Sequence, residues 1–197
     1  VTLCVGDTLA LTPPMGWNSW NVYGSAVSAE VVLAVAQAMV DTGMRDLGYS
    51  YINIDDFWHA AGRAADGRPL ANPKTFPGGM APVAERVHEL GLKLGIYSDA
   101  AELTCGGCYG SLGHEQVDAE AYAEWGVDLL KYDYCHAPVG RDAAIQRYGA
   151  MGRALAEADR SIVFSVCEWG LRQPWRWAAD LGGSYWRTTR DIFDSYS

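Results

Sequence analysis

Hydrophobic positions along the chain alternate between short apolar runs and longer stretches in which apolar residues recur at helical spacing. The short runs predict six strands, at 14–20, 49–58, 92–99, 127–135, 161–170 and 184–193. The helical stretches lie between them, at 28–42, 80–90, 114–125, 141–159 and 174–182. Strands that alternate with helices pair in parallel, because each helix carries the chain back to the edge where the previous strand began. The pattern therefore predicts an α/β protein with a parallel sheet.

Local signals support the predicted helix ends. Ser28 can cap the first long helix, and Gly43 can end it. Gly91 and Gly126 follow the next two helices directly, where a left-handed residue commonly closes the last turn. In the fourth of the five helices, at 141–159, Ile145, Tyr148 and Leu155 are expected on one apolar side, and the third, at 114–125, has a similar stripe at Val117, Ala121 and Trp125.

Polar residues at the carboxyl ends of the predicted strands distinguish the two architectures open to a parallel sheet, a closed barrel and an open doubly wound sheet. They are Asp55, Asp56, Tyr97, Asp133, Glu168 and Asp191. In a (β/α)8 barrel all strand ends face one site, so several strands can each contribute a residue. An open doubly wound sheet usually carries a Gly-rich phosphate turn after its first strand, and the sequence contains no GxGxxG motif. The distribution favours the barrel.

A complete (β/α)8 barrel has eight strands and typically about 250 residues. The chain has 197 residues and six predicted strands. We therefore expect residues 11–197 to be the N-terminal part of a barrel, ending before strands seven and eight and before any C-terminal β-domain, with residues 1–10 as a lead-in. Without those two strands, residues 1–197 alone are expected not to form a competent enzyme, because the barrel cannot close.

Composition narrows the possible functions. The net charge of −9 argues against nucleic-acid binding, which requires basic patches. No apolar run approaches the roughly 18 residues that a membrane span needs. Eight Trp and eleven Tyr are many for this length, and flat aromatic faces suit the C–H faces of sugars. Five cysteines are too few for a disulfide scaffold and show no zinc pattern.

Two acids suit the cleavage of a glycosidic bond, which requires one carboxyl group to attack or activate water and another to protonate the leaving oxygen. Asp133 lies in LLKYDYC, where alternation places Lys131 on the same strand face. A lysine there would keep the aspartate ionised, although a plain ion pair explains the pattern equally well. Asp191 follows Arg187 by four residues and could also be an exposed loop acid.

Asp55 and Asp56 are adjacent acids at the end of an apolar strand, where burial of both charges is costly unless they are satisfied. Sugar hydroxyls or a metal ion could satisfy them. The metal is disfavoured because no histidine lies in ligand spacing nearby, and the four histidines are expected to be surface or core residues. They are His59, His88, His114 and His136.

Seven ordered motifs resemble glycoside hydrolase family 27, which contains α-galactosidases and α-N-acetylgalactosaminidases. They are MGWNSWN, YINIDD-W, LGIYSDA, TCGG followed by YGSLGHE, WGVDLLKYDYC, SVCEWG and WRTT-DI. The resemblance runs from about Leu11 to Ser197. It implies an enzyme that needs no cofactor or metal and hydrolyses terminal α-D-galactosyl residues by double displacement with retention. Galactose-containing oligosaccharides or glycoconjugates would be its partners.

The resemblance also implies residue roles. Asp133 would be the nucleophile and Asp191 the acid/base. The residues expected to bind the sugar are Trp20, Asp55, Asp56, Tyr97, Lys131, Cys167, Glu168, Trp169 and Arg187. Cys105 and Cys135 would form a disulfide, which implies a secreted, periplasmic or otherwise oxidising location. Cys4, Cys108 and Cys167 would then be free thiols.

Two related activities and one other class are the alternatives to α-galactosidase. An α-N-acetylgalactosaminidase needs small residues near the sugar C2, whereas Glu168 and Leu171 are larger. A β-L-arabinopyranosidase is expected to carry an enlarged residue in the acidic pair, whereas Asp55 and Asp56 are both the shorter acid. A non-catalytic sugar-binding protein is expected to lack a catalytic carboxylate. α-Galactosidase is therefore the favoured activity.

The chain departs from the family pattern at three positions. Phe57 stands where many eukaryotic members have a cysteine, and Cys108 is additional. Arg190 replaces a small residue before the expected acid/base and should point away from the site by alternation along the strand.

Overall fold

A computed structural model describes residues 9–192 of the chain. It contains one six-stranded sheet in which all strands are parallel and follow one another in chain order, β1 to β6. The strands are β1 (Gly16–Asn18), β2 (Tyr51–Asn53), β3 (Lys93–Asp99), β4 (Leu129–Asp133), β5 (Val163–Val166) and β6 (Tyr185–Trp186). A doubly wound sheet reverses its strand order at a switch point, whereas a barrel does not. The prediction of the N-terminal part of a (β/α)8 barrel is therefore confirmed.

Each observed strand lies inside a predicted segment but is shorter. The segment 49–58, for example, contains only the three strand residues of β2. Trp20, placed in the first predicted strand, instead begins a short helix. Tyr97 and Asp133 remain in the ladder, but Asp55, Asp56, Glu168 and Asp191 lie in the segments that follow the strands, so the apolar runs overestimated strand length. The sixth predicted segment reaches residue 193, which lies outside the described residues, as do Cys4 and most of the lead-in.

The helices are α1 (Trp20–Tyr23), α2 (Ala29–Asp41), α3 (Ala81–Glu89), α4 (Glu115–Glu124) and α5 (Arg141–Glu157). Ser28 caps α2, since its Oγ accepts a hydrogen bond from the Val31 N–H at 3.3 Å. Gly43, Gly91 and Gly126 follow α2, α3 and α4 with φ angles of 76°, 72° and 80°, as predicted for closing glycines. The last predicted helix is replaced by two 3₁₀ turns, Pro174–Arg176 and Ala179–Leu181.

The predicted apolar stripe of α4 is only partly confirmed, since Ala121 is buried and Trp125 packs against the core but Asp118 is buried as well. Its buried residues are Asp118, Ala119, Ala121 and Tyr122, whereas Val117 and Trp125 are only partly buried. The cause is an ion pair that the apolar pattern cannot reveal. Arg63, in the loop after β2, donates from Nη2 to Asp118 Oδ2 at 2.8 Å and so turns this acid inward.

Two apolar regions flank the sheet. The larger core lies between the sheet and the helices and includes Val32, Ile52, Leu94, Leu130 and Phe164. A small cluster of Tyr51, Leu129 and Val163 occupies the other face. Leu129, Lys131 and Asp133 alternate along β4 and share this second face, so the polar site lies directly above that cluster. Within residues 9–192, no helix combines the length and hydrophobicity required to cross a membrane.

Candidate active site

A pocket of about 110 Å³ lies at the carboxyl ends of the strands. It is lined by Trp20, Asp55, Asp56, Tyr97, Cys105, Lys131, Asp133, Trp169 and Asp191. Both expected catalytic acids and six of the nine expected sugar-binding residues therefore meet in one place. A larger cavity of about 560 Å³ lies around the end of α5, but Asp159 is the one acid in its lining. The smaller pocket is the candidate site, because it brings several carboxylates together with aromatic side chains.

Asp133 ends β4 and is buried, with 5% of its surface exposed. Its Oδ2 accepts a hydrogen bond from the Tyr97 hydroxyl at 3.2 Å, and its Oδ1 accepts one from the Tyr134 N–H at 3.0 Å. Burial raises the pKa of Asp133 to about 6, although the nearby charge of Lys131 works to lower it. Lys131 thus favours the ionised form of Asp133, as expected, but desolvation outweighs this attraction and the net shift of the pKa is upward.

The closest partner of Lys131 is Asp55. The Lys131 ammonium lies 2.7 Å from Asp55 Oδ2, which also accepts a hydrogen bond from Asn18 Nδ2 at 2.8 Å. The backbone N–H of Asp55 donates to the Ser19 hydroxyl at 2.9 Å. Burial opposes the positive charge, but the Asp55 carboxylate raises the pKa of Lys131 above its ordinary value. The first acid of the pair is thus satisfied from β1 and β4 without a metal ion.

Asp56 is held by the loop that follows β3. Its Oδ2 accepts a hydrogen bond from the Gly106 N–H at 2.8 Å, and its Oδ1 accepts one from the Phe57 N–H at 2.8 Å. A side chain at position 106 would place its Cβ 2.5 Å from the Phe57 ring and 2.8 Å from Asp56 Oδ2. Only glycine permits this close approach of the backbone to the carboxylate.

The implied disulfide is present. Cys105 and Cys135 are bonded, with their Cα atoms 5.1 Å apart. The bond joins the loop after β3 to the end of β4 and places Cys105 in the pocket wall. Within the described residues, Cys108 and Cys167 are free, as expected.

Asp191 lies after β6 and is the most exposed acid of the pocket, with 61% of its side chain accessible. Arg187 Nη1 donates to Asp191 Oδ1 at 2.8 Å and so orients the carboxylate. Arg190 is exposed. With Trp169, Leu171 and Asp191 it lines a second depression of about 360 Å³ beside the pocket.

Three residues expected to bind the sugar do not line the pocket. Arg187 contacts Asp191, and its Nη1 also lies 3.9 Å from the Cys167 sulfur, which is buried. Glu168 is fully buried, and its Oε2 accepts a hydrogen bond from the Arg172 N–H at 2.8 Å. Burial raises the pKa of Glu168, whereas the bonds from Arg172 lower it. Its Oε1 has no hydrogen-bond partner in the described part of the chain.

Asp99 belongs to the site region but was missed. It pairs in register with Asp133 on the neighbouring strand, and its Oδ2 accepts a hydrogen bond from the Cys135 N–H at 2.8 Å. Burial raises the pKa of Asp99 to about 8, the amide hydrogen bonds to it lower this value, and the charge of Asp133 adds to the increase. An acid that ends an apolar strand, as in LGIYSD, was the signal that could have identified it.

The fold and the pocket together define a class of protein: an α/β barrel with a pocket at its strand ends that is lined by acidic and aromatic side chains. The family profile described as Alpha galactosidase A (Melibiase_2) matches residues 12–197. The chain therefore belongs to the α-galactosidase family, glycoside hydrolase family 27.

Individual relatives agree with the family profile. Alpha-galactosidase A of Cellvibrio japonicus (strain Ueda107) is 50% identical over 192 residues, which cover 97% of this chain and 46% of that protein. A crystal structure of a candidate α-galactosidase from Bacteroides fragilis NCTC 9343 has a TM-score of 0.94 and 60% identity, over 96% of this chain and 41% of the other. The structure of the α-galactosidase of Saccharomyces cerevisiae with raffinose has a TM-score of 0.91 and 38% identity, and the match covers 95% of this chain and 42% of the other. The chain thus spans less than half the length of each.

Proposed function

We propose that the protein is a retaining α-galactosidase in which Asp133 is the nucleophile and Asp191 the acid/base. The observation that carries the proposal is the meeting of these two carboxyl groups, from the ends of β4 and β6, in one pocket with the Asp55/Asp56 pair. The family membership and the names of the relatives support the same activity.

The reaction proceeds in two displacements. Ionised Asp133 attacks the anomeric carbon as the glycosidic C–O bond breaks, and Asp191 gives its proton to the leaving oxygen. The sugar is then held as an ester of Asp133. Asp191, now ionised, takes a proton from water, whose oxygen attacks the same carbon and releases Asp133. Two inversions give retention, and retaining enzymes hold their two carboxyl groups about 5–5.5 Å apart.

Galactose is the proposed sugar. Asp55 and Asp56 offer charged acceptors to its hydroxyl groups, and hydrogen bonds to charged acceptors are stronger than neutral ones. Lys131 uses one of its donors on Asp55 and has two left for the sugar. Trp20, 43% exposed, stacks on Phe57 at a ring distance of 6.1 Å and offers a flat surface to the C–H face of the ring. The raffinose complex of the yeast relative supports a galactoside substrate.

Discrimination against N-acetylgalactosamine does not rest on Glu168, because that side chain is buried behind the pocket. Leu171 is exposed beside Trp169 and Asp191 and is the residue that occupies space near the expected C2 side. α-Galactosidase remains the proposal, and Leu171 is the position at which the two activities would be separated.

The test of the proposal is covalent labelling of the full-length protein. A fluorinated α-galactoside with an activated leaving group should accumulate as an ester, and peptide mapping should place it on Asp133. Aryl α-galactoside should be cleaved far faster than aryl α-glucoside, α-N-acetylgalactosaminide or β-L-arabinopyranoside, since a site built to bond a hydroxyl rejects analogues that misplace it. A label on Asp191, or comparable rates on the galactoside and glucoside, would refute the assignment.

The same proposal covers location and domain organisation. The disulfide supports a secreted or periplasmic location, because such bonds persist in oxidising compartments. The length of the relatives supports a whole protein in which further strands close the barrel after residue 197. Mass spectrometry of the protein from its native source, before and after reduction, tests whether the Cys105–Cys135 disulfide forms there.

A further inference from the structure

His59 is a buried imidazole without a hydrogen-bond partner. It follows β2, and its side chain is 1% exposed. Neither Nδ1 nor Nε2 forms a hydrogen bond within residues 9–192. The ring stacks on Trp58 at 4.0 Å and meets the edge of Tyr109 at 4.9 Å, so aromatic rings cover it rather than polar groups. An unsatisfied buried donor or acceptor costs about 1–3 kcal/mol, so this arrangement calls for a partner.

Two other ligand-type side chains lie beside His59. One carboxylate oxygen of Asp56, one imidazole nitrogen of His59 and the thiol sulfur of Cys108 all lie within 4.8 Å of one another. His59 Nδ1 is 3.7 Å from Asp56 Oδ1. Spacing along the chain was the only feature of the sequence that disfavoured a metal. It missed this cluster because Cys108 arrives from the loop after β3, about fifty residues from the other two.

We propose that Asp56, His59 and Cys108 form a binding site for a divalent cation of the zinc type. Thiolate and imidazole ligands select zinc over magnesium or calcium, which prefer oxygen. The cation binds the imidazole through its free nitrogen and displaces the thiol proton to solvent. It thereby supplies a partner for one of the two unpaired nitrogens of His59.

The geometry requires a modest adjustment. Bonds of about 2.0–2.3 Å to a tetrahedral zinc ion place ligand atoms about 3.4–3.8 Å apart, so the widest separation must close by about 1 Å. Cys108 is half-buried and follows Gly106 and Gly107, which gives its loop freedom to move. Entry is available because Asp56 also lines the open pocket. The neighbouring group of Asp99, Asp133, Cys105 and Cys135 is a poorer site, since its two sulfurs are bonded to each other.

One consequence rests on the proposed function. If Asp56 accepts a galactose hydroxyl, a cation on the same carboxylate competes with the sugar. Zinc binding and galactose binding should then weaken each other.

Calorimetric titration of the full-length protein with Zn²⁺, without sugar, tests the site. We expect one saturable equivalent with release of a proton, and Co²⁺ should give a thiolate-to-cobalt charge-transfer band. Cys108→Ser and His59→Gln should each weaken Zn²⁺ binding by at least about 100-fold. Loss of a residue that only hydrogen-bonds to a metal ligand already weakens binding by up to about 100-fold, and loss of the ligand itself should weaken it no less. His136→Gln, which removes an exposed histidine, is the matched control and should bind zinc normally.

Unchanged affinity in Cys108→Ser, or no saturable binding by the unmodified protein, would overturn the proposal. Should His59→Gln fail to fold, thiol labelling of the unmodified protein decides: zinc should slow modification of Cys108, and equal rates with and without zinc would count against the site. Zinc binding that galactose does not weaken would leave the metal site standing and would contradict the proposed sugar contact of Asp56. The two proposals therefore fail separately.

Discussion

The ammonium group of Lys131 lies 2.7 Å from Asp55 and not against Asp133, although Lys131 and Asp133 share one face of β4. The pair joins β4 to the end of β2 beneath the pocket. Asp55 is 4% exposed and Lys131 24% exposed at the side chain, so both charges are largely removed from water. Loss of either partner therefore leaves a buried charge uncompensated.

Lys131→Met is expected to lower the free energy of unfolding by about 3 kcal/mol, because it leaves the Asp55 carboxylate buried without its cation. Denaturant unfolding of the full-length protein measures the loss. Lys74→Met, at an exposed lysine, is the matched control and should change stability little. Equal stability of Lys131→Met and the unmodified protein would show that the Asp55 carboxylate does not depend on Lys131 for its compensation.

The pH dependence of kcat/KM should report the ionisation of Asp133. Its pKa is raised to about 6 by burial, and only the ionised form can attack. Activity should therefore fall about tenfold for each pH unit below this value. Since Lys131 lowers the pKa of Asp133, Lys131→Met should move the acidic limb to higher pH. An acidic limb of the kcat/KM profile near pH 4 in the unmodified protein would contradict the raised pKa that burial gives Asp133.

Asp133→Asn should abolish turnover and yet stabilise the protein at neutral pH. The pKa of Asp133 is 3.8 in the unfolded chain and about 6 in the folded protein. Below pH 4 the carboxyl is protonated in both states and does not affect stability, whereas above pH 6 it is ionised in both states and its burial destabilises the fold by the full amount. The variant removes a penalty of up to about 3 kcal/mol at pH 7 and almost none near pH 4. Urea unfolding at both values measures the difference. A gain of the same size at both would point to a cause other than ionisation.

Asp191→Ala should slow substrates with poor leaving groups far more than activated aryl galactosides, because a good leaving group needs no proton. Azide should restore turnover by replacing the water that Asp191 would deprotonate, and the product should be α-galactosyl azide, because two inversions retain the configuration. Product analysis by NMR checks the stereochemistry. A β-azide would refute retention, and equal losses on both substrate types would remove Asp191 from the role of acid.

Replacement of both Cys105 and Cys135 by serine should lower stability by about 3–4 kcal/mol, as expected for a bond that spans 30 residues. It should also raise KM, since Gly106, next to Cys105, donates to Asp56. Thermal unfolding and steady-state kinetics measure the two effects. Dithiothreitol treatment of the unmodified protein is the control, and it should likewise lower stability and raise KM. A stability loss with unchanged KM would mean that Asp56 is held independently of the disulfide.

The apolar pattern predicted six strands in order, and the structure contains each of them. Strand lengths were overestimated, because several residues that end an apolar run leave the ladder to build the pocket. Trp20 and Asp56 show this directly: both were placed in strands, and both lie in the segments that follow one. The burial of Asp118 on α4 was not predicted either, because it depends on an ion pair with Arg63.

The sequence by itself determined the parallel α/β architecture, the family and the gathering of Asp133, Asp191 and the acidic pair, because periodicity and motif order are local properties of the chain. Tertiary structure alone decided which charges face one another. Lys131 pairs with Asp55, Glu168 turns towards Arg172, and Cys108 reaches His59. These partners lie on different elements or across a turn, and their separations depend on how the strands and loops pack. Desolvation likewise exists only once the pocket forms, which is why the pKa of Asp133 rises although a lysine lies two residues away.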